Sequence, residues 1–130
     1  MEQGPVFLTR EQVDTIHNQQ IEAWGGLNGI RNENALESAI TQPCNVWIYG
    51  NGDVFEIAAA YAYHIAESQA YFDGNKRTAV QAALDFLEIN GVDTNGLPEL
   101  ATYEAMIRVA NHELDRPGLG AFFRLVLKPR

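Results

Sequence analysis

Residues 69–77 have the sequence Gln-Ala-Tyr-Phe-Asp-Gly-Asn-Lys-Arg, and we expect the fold to be organised around this stretch. Asp73-Gly74 is a turn dipeptide. The segment from Asn75 to Asn90 is amphipathic and has helical spacing of its apolar residues. The stretch therefore predicts the end of one helix, a short turn and the start of another.

The residue types in this turn suit an anionic ligand. The first N–H groups of a helix have no intrahelical partners and carry partial positive charge, so they attract anions. Gly74 has no side chain to keep an anion away, and Lys76 and Arg77 add positive charge. A carboxylate beside a phosphate is a usual way to hold Mg²⁺, so Asp73 is a candidate metal ligand. Asp73 is also a candidate N-cap of the following helix, either instead of binding a metal or in addition to it.

Apolar residues recur at helical spacing on both sides of this stretch. Capping or breaking residues mark the predicted helix ends, which in chain order lie at Thr9, Gly25-Gly26, Asn32, Pro43, Asp53, Asn75, Gly91, Pro98 and Pro117. Gln69 is the last member of the small apolar face of the third helix, so we expect its side chain to point inward. Leu100 and Tyr103 belong to the predicted apolar face of the fifth helix. Trp24 and Trp47 are interpreted as core residues.

Residues 43–53 differ from the helical segments. They combine β-branched and aromatic residues with the turn cluster Gly50–Asp53. This pattern predicts a small β-hairpin or an extended flap, whose aromatic side chains suit burial and partner contact equally. We therefore predict a single all-α domain over residues 1–130, a bundle of five to six helices with this small flap. The alanine-rich third and fourth helices are expected at its centre.

Composition limits the classes of function. The 130 residues carry a formal net charge of -8, which argues against a general nucleic-acid binder because a phosphate backbone would be repelled. The single cysteine, Cys44, cannot form an internal disulfide. We find no apolar run of membrane-spanning length and no signal-peptide pattern at the start. A cytoplasmic protein with no membrane partner is expected.

The residues around the turn resemble a known family. Residues 71–79, placed after an alanine-rich helix, are similar to the Fic/Doc motif, in particular to the death-on-curing (Doc) branch with its signature His-x-Phe-x-Asp-Gly/Ala-Asn-Lys-Arg. Three upstream segments, Phe7–Thr9, Gly29–Glu33 and Asp53–Glu56, resemble the family in the same order. The resemblance covers roughly residues 6–91 and implies the Fic/Doc fold.

The resemblance also implies an activity. Fic proteins transfer part of a nucleotide, usually AMP, to a hydroxyl of a target protein. Doc toxins bind ATP in the reversed orientation, phosphorylate a threonine of elongation factor Tu and are inhibited by a partner antitoxin. By this resemblance Asp73 would hold Mg²⁺, and residues 43–53 would position the target. The phosphates of ATP or another nucleotide would be bound by Gly74, Asn75, Lys76 and Arg77, of which Lys76 and Arg77 would also assist catalysis.

One motif position departs from the family. The histidine that serves as general base in the family is Gln69 here, and an amide does not accept a proton at useful cost. A positioned base contributes ~10²–10⁴-fold in rate, so we expect impaired catalysis, although phosphoryl transfer depends mainly on positioning and charge neutralisation. His64 is the nearest histidine in sequence, on a different helix face from Gln69, and His17 and His112 are interpreted as surface or hydrogen-bonded core residues.

Two functions therefore stay open. The chain is a Doc-like protein kinase or nucleotidyltransferase of a toxin–antitoxin system with a weakened catalytic step, or an inactive module that binds a nucleotide or an antitoxin-like partner. These 130 residues contain no match to the family's inhibitory motif, Ser/Thr-x-x-x-Glu-Gly/Asn. Inhibition of a toxin would therefore come from an antitoxin in trans.

Overall fold

The computed structural model describes residues 4–129, with side chains described as far as Leu127. The described chain forms six helices: α1 Arg10–Trp24, α2 Glu33–Gly50, α3 Val54–Ser68, α4 Asn75–Ile89, α5 Glu99–Ala110 and α6 Arg116–Val126. Two short strands, β1 Val92–Asp93 and β2 Lys128–Pro129, pair antiparallel, with Val92 opposite Pro129. The predicted all-α fold with up to six helices is confirmed. No helix of this described part is both long and apolar enough to cross a membrane.

Side-chain caps set most of the helix starts. Thr9 and Gln12 form a reciprocal capping box at the start of α1, with Thr9 N–H donating to Gln12 Oε1 at 2.7 Å. Asn32 Oδ1 accepts from Ala35 N–H at 3.0 Å, and Asp53 Oδ1 accepts from Glu56 N–H at 2.9 Å. These bonds satisfy backbone donors that have no acceptor inside the helix. The predicted starts of α1, α2 and α3 are confirmed.

The predicted flap is wrong. Helix α2 continues through Pro43 to Gly50 and ends where Asn51 adopts a left-handed conformation with φ of 52°. A proline inside a helix removes one backbone donor. Here the Pro43 ring is buried and Val46 packs against the core, so tertiary packing outweighs that local cost. Trp47 packs at 6.1 Å from the Phe7 ring but is 38% exposed, so its predicted core position is wrong, and Ile48 and Tyr49 are more exposed still.

The centre of the bundle is the contact between α3 and α4. Small side chains make up much of the buried surface of both helices, and their buried alanines are Ala58, Ala59, Ala60, Ala62, Ala66, Ala79, Ala82 and Ala83. Small residues let the two helix axes approach closely. Helix α3 also packs against α2 and α6, while α1 packs against α4. The predicted central position of the two alanine-rich helices is confirmed, and it places the turn between them at one end of the bundle.

The predicted apolar face of α5 is wrong. Leu100 and Tyr103 are mostly exposed, and the buried face instead contains Thr102, Ala105, Met106 and Val109. Helix α5 carries apolar residues on more than one face, so periodicity alone did not identify the face that packs.

Candidate anion-binding site at the start of α4

The turn between α3 and α4 is hydrogen-bonded to the loop between α1 and α2. Arg31 and Asn32 donate their N–H groups to the Ala70 carbonyl at 2.7 and 3.0 Å. Phe72 N–H donates to the Gly29 carbonyl at 3.2 Å, and Ile30 forms an antiparallel bridge with Tyr71. These backbone bonds fix the turn against a segment about forty residues earlier in the chain, which the sequence pattern alone did not reveal.

Gln69 ends α3 rather than extending it. The residue is left-handed, with φ of 51° and ψ of 32°, and it is exposed. Its side-chain Nε2 donates to the Ala66 carbonyl at 3.2 Å, and its own carbonyl accepts from the Arg31 guanidinium, at 2.6 Å from Nη2. The prediction that the Gln69 side chain points inward is therefore wrong, because the helical phase stops at Ser68.

Tyr71 is the buried centre of the turn. Its hydroxyl donates to Asp14 Oδ1 at 3.0 Å, and its ring stacks on the His17 ring at 3.7 Å between centroids. Burial, followed by the neighbouring Asp14 carboxylate, raises the pKa of Tyr71 well above its ordinary value. The phenol thus stays protonated and donates. Arg10 bonds to Asp14 and also to Glu33 and Glu37 of α2. Asp14, the acceptor of the Tyr71 hydroxyl, is therefore linked through Arg10 to α2.

His17 supports the backbone of Asp73. The imidazole is 1% exposed, and its Nε2 lies 2.8 Å from the Asp73 carbonyl oxygen. Because a carbonyl only accepts, this nitrogen donates the proton. The prediction that His17 is a surface or hydrogen-bonded core histidine is confirmed. Its supporting role was missed, since a histidine on the apolar face of α1 gives no local signal of what it contacts.

Asp73 does not cap α4. Its Oδ2 accepts the Leu27 N–H at 2.6 Å, so the carboxylate is held by the loop that follows α1. The capping position is occupied by Gly74, whose φ of 80° is left-handed. A Cβ at Gly74 would lie 3.3 Å from Ile21 and 3.6 Å from His17. The capping alternative for Asp73 is therefore wrong, and the carboxylate remains exposed beside the start of the helix.

The start of α4 has no side-chain cap. Thr78 N–H is the first to bond within the helix, to the Gly74 carbonyl at 2.9 Å. The N–H groups of the three preceding residues therefore have no helical acceptor. No acidic side chain lies in this first turn, and the side chains of Lys76 and Arg77 are exposed there. The positive end of the helix dipole and two cations thus coincide.

Asn75 shapes the turn from inside. Its Oδ1 accepts the Tyr71 N–H at 3.0 Å, and its Nδ2 donates to the Tyr71 carbonyl at 2.9 Å. The side chain is buried, so these two bonds satisfy Tyr71 backbone groups that water does not reach. What Asn75 presents toward an anion is its backbone N–H.

Comparison with known protein families decides the classification. Residues 7–87 match the model of the Fic/DOC family. The chain belongs to the Fic/DOC family. It is 35% identical over 95 residues to the protein kinase doc of Escherichia phage P1, an alignment that covers 72% of this chain and 75% of that protein. It is 38% identical over 89 residues to toxin Doc of Mycolicibacterium smegmatis, covering 66% of this chain and 65% of that toxin. The predicted membership of the Doc branch is confirmed.

The Fic/DOC match ends within α4. The matched residues contain helices α1 to α3, most of α4 and the whole turn, whereas α5 and α6 follow the match. Every hydrogen bond described above for the turn joins two residues inside the matched region. The candidate site is therefore built entirely from the family's part of the chain.

The side chains of the other two histidines of this Fic/DOC protein form no hydrogen bond with the turn among the described residues. His64 is half-buried on α3, against the Tyr63 ring, and burial followed by the Arg116 charge lowers its pKa. His112 is exposed in the loop after α5. Among residues 4–129 no group of three or more His, Cys, Asp or Glu side chains is arranged to hold a metal ion. Trp24, predicted to lie in the core, is 67% exposed, and that prediction is wrong.

Proposed function

We propose that this Fic/DOC protein is a toxin of a toxin–antitoxin system that transfers phosphate, or part of a nucleotide, from ATP to a hydroxyl of a target protein. The observation that carries the proposal is the uncapped start of α4, where free N–H groups, Lys76 and Arg77 converge beside Asp73. The names of the relatives, a protein kinase and a toxin, support this activity. An antitoxin in trans is the expected partner, and the cytoplasm is the expected location.

The start of α4 suits a triphosphate. Backbone N–H groups would donate to the phosphate oxygens, and Gly74 leaves room for their approach. Lys76 would act as a point charge, whereas the planar guanidinium of Arg77 suits two oxygens at once. Asp73 has one carboxylate oxygen bonded to Leu27 N–H, which leaves the other for Mg²⁺ together with phosphate oxygens and water. Bound Mg²⁺ supplies neutralisation of the phosphate charge.

The weak point is the transfer of the hydroxyl proton. In phosphoryl transfer the target hydroxyl oxygen bonds to the γ-phosphorus, the bond from that phosphorus to the ADP oxygen breaks to release ADP, and the hydroxyl proton passes to a base or, without one, to water. Gln69, at the position of the family's general base, cannot accept it, and its amide is turned back to the Ala66 carbonyl. His17 is buried and already bonded to Asp73. We therefore propose a slow transfer.

The same observation favours a second candidate, an inactive module. If nothing replaces the base, the protein binds nucleotide or an antitoxin-like partner and acts as a regulator. The two candidates share the site at α4 and differ only in whether a group is transferred.

Labelled-phosphate transfer from ATP separates the candidates. We expect little labelling of elongation factor Tu by the natural chain and a rise of ~10²–10⁴-fold for Gln69→His, since a positioned base contributes about that factor. Histidine is among the residues that tolerate a left-handed backbone. Gln19→His, on the exposed side of α1, is the matched control and should give no rise.

The outcomes assign the function. Strong labelling by the natural chain that is lost in Asp73→Ala but kept in Gln69→Ala would show that transfer does not require a histidine at position 69. ATP binding without transfer by the natural chain or by Gln69→His would leave the inactive module. Labelled AMP transfer, tested with ATP labelled at the α-phosphate, distinguishes nucleotide transfer from phosphorylation.

A further inference from the structure

Exposed apolar side chains border the start of α4. Trp24 ends α1, Leu27 lies in the following loop, and Phe72 lies in the turn, and all three are exposed. Leu27 N–H bonds to the Asp73 carboxylate, and Phe72 is the residue before Asp73. Large apolar side chains are normally buried, so a group of them around one cationic site indicates a ligand with an apolar part.

Trp24 is held against the anion site by a cation. The guanidinium carbon of Arg77 lies 5.3 Å from the centre of the indole, a cation–π contact. Arg77 is the third residue of α4, so its backbone N–H belongs to the free N–H groups and its side chain contacts Trp24. The indole therefore lies beside the site that would hold phosphate, and two thirds of its surface remains open.

Trp47, the other tryptophan, provides a comparison for the exposure and contacts of Trp24. It is 38% exposed, its ring packs at 6.1 Å from Phe7, and it lies on α2. Neither of the two cation–π contacts found among the described residues involves it. Trp24 combines greater exposure with a cation from the candidate anion site, and this combination distinguishes a ligand surface from core packing.

We infer that the indole of Trp24 is the stacking surface for the base of a bound nucleotide whose phosphates lie at the start of α4. The inference rests on the proposed function and adds to it the residue that would contact the base. Every base presents a flat π-face, so stacking on an indole is tolerant of base identity. Trp24 should therefore increase affinity for ATP and GTP alike.

Equilibrium binding with Mg²⁺ tests the inference, using ATP, GTP and inorganic tripolyphosphate as probes in isothermal titration calorimetry. Loss of one base–aromatic stack weakens binding by about 5–150-fold. We expect Trp24→Ala to weaken ATP and GTP by about this factor and to leave tripolyphosphate unchanged. Trp24→Phe should keep most of the affinity, and Trp47→Phe, the matched control, should keep all of it.

Fluorescence gives a second readout that does not depend on a folded Trp24→Ala variant. The chain has two tryptophans, so Trp24 is the only one left in Trp47→Phe. We expect ATP to quench its emission and tripolyphosphate to leave it nearly unchanged.

Different results would contradict base stacking on Trp24 and nucleotide binding at the start of α4. Tripolyphosphate binding as tight as ATP binding, or equal weakening of both probes in Trp24→Ala, would overturn the stacking inference and leave the anion site standing. No binding of either probe to the natural chain would overturn both the proposed function and the inference.

Discussion

Among the six helices of residues 4–129, α4 and α5 begin without a side-chain cap, whereas α1, α2, α3 and α6 are capped. The first turn of α4 contains Lys76 and Arg77 and no acidic residue. The first turn of α5 contains Glu99, whose carboxylate already complements the positive end of the helix. An uncapped start alone is therefore not a ligand site. The charge of the first turn and the way the turn is held distinguish α4 from α5.

The segments that precede α4 and α5 differ in how firmly the rest of the protein holds them. Gly74 lies between a buried Tyr71, whose backbone is bonded on both sides by Asn75, and a helix start packed on α1. Pro98 precedes α5 and makes no side-chain cap, and the first residues of that helix are exposed. Rigid support of exposed donors is what a preorganised binding site requires, because no ordering is then needed when the ligand arrives.

The largest effect should come from the first residue of α4. Asn75→Ala leaves the buried Tyr71 N–H and carbonyl without their partners, and each unsatisfied buried group costs about 1–3 kcal/mol. We expect the free energy of unfolding to fall by about 2–6 kcal/mol in urea denaturation. Glu99→Ala changes the equivalent first residue of α5, which is exposed, and should stay within about 1 kcal/mol. Equal losses in the two variants would show that Asn75 does not support the turn.

A smaller effect is expected at Gly74. Alanine at its φ of 80° carries the cost of a left-handed backbone, about 1–2 kcal/mol, and its Cβ would stand where a phosphate approaches. Gly91, just after α4, has a φ of 90° and nothing within 4 Å of an added Cβ. Gly91→Ala should therefore lose similar stability.

The two glycine variants should differ in their affinity for nucleotide. Only Gly74→Ala should weaken Mg²⁺–ATP binding in calorimetry, since only that Cβ lies at the anion site. Equal ATP affinity in both variants would mean that the phosphates do not pack on Gly74.

Much of the fold followed from local chemistry. Thr9, Asn32 and Asp53 cap the helices that they were predicted to begin, because a cap involves residues only three positions apart. The alanine-rich faces of α3 and α4 were likewise visible in the sequence, and they form the centre. Pro43 was misleading because the packing of α2 outweighs the local cost of a proline, which a short window of sequence does not contain.

The candidate site was only partly predictable. Asp73, Gly74, Lys76 and Arg77 occur together in the sequence, and the structure places them at one helix start. His17, Leu27 and Trp24 reach the turn from α1 and its loop, more than forty residues away in sequence, so no local pattern could assign them. The predicted orientation of the Gln69 side chain assumed that α3 continues to this residue. Gln69 is itself left-handed and ends the helix, so the prediction was wrong.

The nucleotide site at the start of α4 is tested most directly by the change in backbone amide chemical shifts when Mg²⁺–ATP is added to the isotope-labelled protein. We expect the largest shifts at Gly74, Asn75, Lys76 and Arg77, and no change at the amides that start α5, from Glu99 onward. Shifts of similar size at both helix starts, or none at residues 74–77, would contradict the claim that the start of α4 is the nucleotide site.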